Sequence, residues 1–84
     1  MTIFETKRKM LKRMGAIVRK RRKARGLSEE ELAWRVQISD RQLRNIEKGI
    51  ANPKAETLIP LFYELGITIE EIYEPFAEEV YAYV

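Results

Sequence analysis

The chain has 84 residues, enough for one small domain. It contains no cysteine and no histidine, which excludes a disulfide framework, thiolate or imidazole metal ligation and any histidine-based catalytic triad. The formal net charge of +3 conceals a gradient: residues 1–25 carry eleven Lys or Arg against Glu5 alone, residues 26–54 balance, and residues 55–84 carry seven Glu and no base. One end of such a molecule suits a polyanion and the other end repels it. No apolar run approaches the length of a membrane span, and the start of the chain lacks the apolar core of a signal peptide. A cytoplasmic protein with no membrane partner is therefore expected.

In chain order, Thr2 and Glu5 have the spacing of a capping box that opens a long first helix. Ile3, Phe4, Met10, Leu11, Met14, Ile17 and Val18 follow helical spacing along it, with cations from Lys7 to Arg25 between them. Gly26 stops it, and the cationic last turn complements the macrodipole. Residues 1–8 either join this helix or form an arm. Ser28 with Glu31 and Ser39 with Gln42 then predict two further caps. Leu32, Ala33 and Val36 share one face behind the first, and Leu43 and Ile46 share one behind the second. Only Val36, Gln37 and Ile38 separate the two short helices, so the turn is tight and they must cross steeply, as in a helix-turn-helix.

Gly49 closes the second short helix, and the segment through Pro53 is a loop. A fourth helix is expected over about 55–65 with Leu58, Leu61, Phe62 and Leu65 inward. Pro60 inside it removes a backbone donor at a cost of about 3 kcal/mol, so either the helix is kinked or, by preference, its first turn is distorted and the regular helix starts near Thr57. Thr68 with Glu71 caps a short fifth helix that ends at Pro75. The tail from Phe76 to Val84 fits a helix by Phe76, Val80 and Val84 and a strand by Val80, Ala82 and Val84, and it stays open between them. The whole reads as a compact all-α domain over 14–74, with 1–13 extending the first helix and 75–84 a C-terminal tail suited to dimerisation.

The face of the third helix carries the chemistry. With Leu43 and Ile46 inward, Asp40, Arg41, Arg44, Asn45 and Lys48 turn outward. A recognition helix presents its N-terminal residues to base edges. Arg41 has the donors to grip guanine O6 and N7, and Asn45 can pair with adenine N6 and N7. Asp40 either accepts from cytosine or holds Arg44, and Gln42 is occupied by its cap.

The ordered anchors Val18, Arg19, Arg22, Gly26, Leu27, Ser28, Glu31, Leu32, Ala33, Ile38, Ser39, Ile46, Glu47, Gly49, Pro53, Leu58, Leu65 and Gly66 resemble the lambda-repressor-like helix-turn-helix domain. That family comprises phage repressors and Cro, the xenobiotic-response-element regulators and restriction–modification controllers. The resemblance implies five helices, duplex DNA bound through the major groove, and a homodimer on a palindromic operator. It implies base contacts from Ser39, Asp40, Arg41 and Asn45, with Arg44 beside them. It places Arg22 and Glu47 where the family has an internal ion pair that orients the recognition helix.

Phosphate contacts are expected from Arg19, Lys23, Ser28, Lys48 and Asn52, and from backbone N–H groups at helix starts. The sequence departs from the family at three places. Glu29 stands where a phosphate-reaching glutamine is common, which implies weakened binding. Gln37 stands where glycine is preferred. Trp34 stands at a usually polar position, and packing against Phe4 or the N-terminal extension is expected of it in preference to base stacking. Dimerisation is expected to use Ile69, Ile72, Tyr73, Phe76, Val80, Tyr81 and Tyr83.

The function expected is a DNA-binding transcriptional regulator, a repressor or an autoregulatory controller. The alternative is an antitoxin or other interaction module of the same fold whose acidic C-terminal third binds a protein partner. The basic run 19–23 has generic rival meanings in RNA binding, localisation and lipid association. Glu70, Glu71 and Glu74 lack any accompanying nucleophile or ligand set, so neither enzyme chemistry nor a cofactor is expected.

Overall fold

The computed structural model describes residues 2–77. Within them lie five α-helices and no strand: α1 Ile3–Ala24, α2 Glu29–Val36, α3 Asp40–Glu47, α4 Ala55–Leu65 and α5 Ile69–Tyr73, the last running into a 3₁₀ turn at Glu74–Phe76. The molecule measures 39 × 21 × 20 Å. Its long axis reflects α1, which at 22 residues is about 33 Å long at 1.5 Å per residue. The helix starts at Ile3, so the first residues join it and do not form a separate arm.

Local chemistry sets each start. Ser39 and Thr68 make full capping boxes with Gln42 and Glu71. Thr2 and Ser28 cap through their hydroxyls, which accept from the Glu5 and Glu31 N–H groups at 3.1 and 3.0 Å. Each bond satisfies a backbone donor that the first helical turn cannot.

Met14 and Val18 of α1, Leu32 and Ala33 of α2, Leu43 and Ile46 of α3, Leu61 and Leu65 of α4, Ile67 and Ile72 form one core. Leu58 and Phe62 pack against it, as the spacing predicts. The largest helix–helix contact is α1 on α3, and Gly15 makes it possible. A Cβ there would overlap the carbonyl oxygen of Ile46 and lie 2.6 Å from that of Glu47. The two backbones meet with no side chain between them.

Three expectations require correction. α4 spans 55–65 as expected, but Pro60 lies inside it and the regular helix does not wait until Thr57. Both Pro60 and Glu56, whose carbonyl loses its donor, are exposed, so no buried acceptor is orphaned. Trp34 does not pack on Phe4: the two are 81% and 68% exposed. The core positions of α2 are Leu32 and Ala33, and Trp34 lies two residues past Leu32, about 200° around the helix. Ile72, expected on the dimer surface alone, is 8% exposed and packs in the chain's own core while also lining a groove between α1, α4 and α5, whereas Ile69 is exposed. Val80, Tyr81 and Tyr83 of the expected dimer surface lie outside the described residues. Among the described residues no helix is long and apolar enough to cross a membrane.

Candidate nucleic-acid interface

Two residues, Gln37 and Ile38, separate the end of α2 from the Ser39 cap of α3. The reversal is made by Gln37 at φ 58°, ψ 48°, the left-handed region. It is the one non-glycine residue at positive φ among the described residues. Glutamine pays a steric cost for that conformation that glycine does not. The Ile38 N–H donates to the Ala33 carbonyl at 2.9 Å and closes the end of α2.

With Leu43 and Ile46 fully buried, α3 turns its other side to solvent. Ser39, Arg41, Arg44 and Lys48 are exposed, and Asp40 and Asn45 are half-buried. Neither Arg41 nor Arg44 makes an ion pair among the described residues, so Asp40 does not hold Arg44. Gln42 is occupied as the cap spacing predicts: its Oε1 accepts from the Ser39 N–H at 2.9 Å. The free guanidinium of Arg41 and the amide of Asn45 therefore share one face with no internal partner for the arginine.

That face is held from behind by Arg22 of α1. Its Nε donates to Glu47 Oε2 at 2.7 Å and its Nη2 to Oε1 at 3.1 Å, while Nη1 donates to the Leu27 carbonyl at 3.0 Å. The side chains are 9% and 7% exposed. Hydrogen bonding to Glu47 pushes the Arg22 pKa up, against the opposing effect of burial. A planar fork on a carboxylate fixes orientation as well as distance, so α3 is set against α1 at a defined rotation.

Around it, Arg19, Arg22, Glu29, Arg44, Glu47 and Lys48 line one shallow depression. Arg19 and Lys48 are thus brought together with α3, and Glu29 sits among them, where its charge also favours the cationic form of Arg22. Ser28 is exposed at the start of α2. Asn52 lines a second depression with Gln42, Asn45 and Lys54, on the other side of α3. Lys23 is exposed but lines neither depression. Lys54, the N-cap of α4, was not among the residues expected at the site. Its signal was a cation between Pro53 and a helix start, facing the same loop as Asn52.

A family model described as helix-turn-helix matches residues 18–72. The chain is 39% identical over 57 residues to the HTH-type transcriptional regulator DdrOP3 of Deinococcus deserti, a match covering 68% of this chain and 44% of that protein. It therefore spans less than half the length of that relative. A second relative, the HTH-type transcriptional regulator y4dJ of Sinorhizobium fredii, is 33% identical over 66 residues, covering 79% of this chain and 86% of its own. Among solved structures, the clp gene regulator ClgR of Corynebacterium glutamicum has the same fold, with a TM-score of 0.69 at 23% identity over 87% of this chain and 78% of that one. The chain belongs to the helix-turn-helix family of transcriptional regulators, of the xenobiotic-response-element type.

Proposed function

We propose that the chain is a sequence-specific regulator that binds a palindromic duplex operator as a homodimer, with α3 in the major groove, and acts as a repressor or autoregulatory controller. The observation that carries this reading is the exposed, unpaired Arg41 beside Asn45 on a helix whose rotation is fixed by the Arg22–Glu47 pair. Arg41 reads guanine and Asn45 reads adenine, with Ser39, Asp40 and Arg44 beside them. Arg19, Lys48, Ser28, Asn52 and Lys23 hold phosphates and set the register.

Self-association is supported by a groove between α1, α4 and α5 that is lined only by apolar side chains, Met10, Leu58, Ile59, Phe62, Ile69 and Tyr73 among them. Ile59 and Ile69 are 67% and 71% exposed. Two copies related by a two-fold axis cover such a surface with its own mate. Phe76, Val80, Tyr81 and Tyr83 are proposed to take part in the same association, the last three lying outside the described residues.

The test is selection of bound sequences from a random duplex pool by the full chain. The expected product is an inverted repeat with half-sites about 10 base pairs apart. Arg41→Ala is expected to cost 1–3 kcal/mol, roughly a 5- to 150-fold loss, and to relax discrimination at one base pair of each half-site. Binding that is indifferent to sequence overturns the reading.

A further inference from the structure

Two sets stand out among the cations of residues 1–25. On the flank toward α4 and α5, Arg13 Nε donates to the Glu71 carbonyl at 3.0 Å, Arg21 Nη1 to the Gly66 carbonyl at 2.9 Å and Arg25 Nη1 to the Glu64 carbonyl at 2.7 Å. Arg21 also pairs with the Glu71 carboxylate. These side chains satisfy carbonyls at the end of α4 and within α5 that those helices leave open.

The second set lies on the flank toward α3. Arg8, Lys12, Arg19 and Arg22 recur with Gly15 at spacings of three and four, which confines all five to about 80° of arc at 3.6 residues per turn. Arg22 is used up on Glu47, whereas Arg8, Lys12 and Arg19 are exposed and make no ion pair among the described residues.

Glycine fixes where this row runs. Gly49 sits at φ +75°, and a Cβ on it would lie 2.6 Å from the Lys12 Cα. Lys12 therefore emerges at the corner where α3 ends and the loop to α4 begins. Arg19 shares a depression with Arg44 and Lys48 of α3. The row continues the exposed basic face of α3 and carries it beyond that helix. From Arg19 to Arg8 it is about 17 Å long, roughly five base-pair steps of duplex at 3.4 Å each.

We infer that Arg8 and Lys12 grip the sugar–phosphate backbone outside the base pairs that α3 reads, so that the first turns of α1 lengthen the duplex footprint. The inference rests on the duplex-binding reading above. The ligand is the phosphodiester anion and not a base: no aromatic side chain lies between Arg8 and Arg19 to stack on one. The contact is therefore independent of sequence and sensitive to salt.

The experiment uses the full chain and two duplexes carrying the same selected site. One is trimmed to the base pairs read by α3, and the other is extended by about ten arbitrary base pairs on each side. The wild type is expected to bind the extended duplex about ten-fold more tightly, and R8Q/K12Q to abolish that preference while leaving the trimmed duplex within about two-fold. The slope of log affinity against log salt on the extended duplex should become shallower by about 2 in that variant, and by about 1 in Arg8→Gln alone, which lies a turn away from the Gly49 contact. Glutamine preserves helix propensity, and an unchanged thermal melt verifies the fold.

Retention of the preference and slope in R8Q/K12Q overturns the inference. So does an equal loss from Lys20→Gln, whose side chain lies beside Glu70 and Glu71 on the opposite flank, because the effect would then be a diffuse field and not a located contact. Failure of the wild type to bind either duplex overturns instead the duplex-binding reading.

Discussion

At the scale of single residues, two side chains occupy places that other types would fill more comfortably. Gln37 holds the left-handed conformation on which the angle between α2 and α3 depends. Gln37→Gly is expected to stabilise the fold by about 1 kcal/mol, read as a rise of roughly 5 °C in Tm for a domain of this size. The gain should be smaller than the full strain, because glycine also raises the entropy of the unfolded chain. Glu29 stands beside Arg19, Arg44 and Lys48, in the depression that a phosphate would approach. Glu29→Gln is expected to tighten duplex binding several-fold at low salt, with the difference shrinking as ionic strength rises. A loss of affinity in a titration at low salt would show instead that the carboxylate makes a contact of its own. The caps, the inward faces of α2 and α3 and the Arg22–Glu47 partnership were all legible in the sequence, because each depends on spacing within a helix or on anchors in fixed order. The exposure of Trp34 was legible in the same way, since it lies about 200° from Leu32 on α2, and the expected contact with Phe4 went against that phase.

At the scale of elements, the decisive contact is α1 on α3. Helix propensity alone predicts that Gly15→Ala stabilises α1 by about 1 kcal/mol. Packing predicts the reverse, because the added methyl meets two carbonyl oxygens of α3 backbone, neither at the end of a flexible side chain. Packing wins: the substitution is expected to destabilise by about 2 kcal/mol in thermal or urea unfolding. Glu47→Ala strikes the same junction by a different route. It leaves the 9%-exposed guanidinium of Arg22 with only the Leu27 carbonyl, an uncompensated buried charge costing about 3 kcal/mol. Duplex affinity is expected to fall as well, measured by titration under conditions where the variant remains folded. The α1–α3 proximity was implied by family resemblance, but the glycine seat was not, since nothing near Gly15 in sequence marks it. Likewise Pro60 suggested a late start for α4, and only the exposure of its turn shows why the helix tolerates it.

At the scale of the whole molecule, the charge gradient read from composition proves to be two arrangements. The cations of residues 1–25 are split by helical phase. Those facing α4 and α5 bind carbonyls or Glu71 and hold the fold together. Of those facing α3, Arg22 pairs with Glu47, whereas Arg8, Lys12 and Arg19 are exposed and make no ion pair among the described residues. Composition revealed the excess of positive charge, whereas the division required knowing where α4 ends relative to α1. The acidic third is partly internal too. Thr68 hydrogen bonds and the Arg21 guanidinium hold the Glu71 carboxyl below the usual carboxylate range, and Glu64 pairs with Arg35 at 2.8 Å. Glu70 and Glu74 lie with Glu71 on the flank of α1 turned away from α3 and make that side averse to phosphate, which favours one orientation on approach to a polyanion.

The bare seat between α1 and α3 at Gly15 has a mechanical consequence. With carbonyls pressed against a residue that has no side chain to yield, the two rods move as one lever. A load on the first turns of α1 is delivered as torque to the face bearing Arg41.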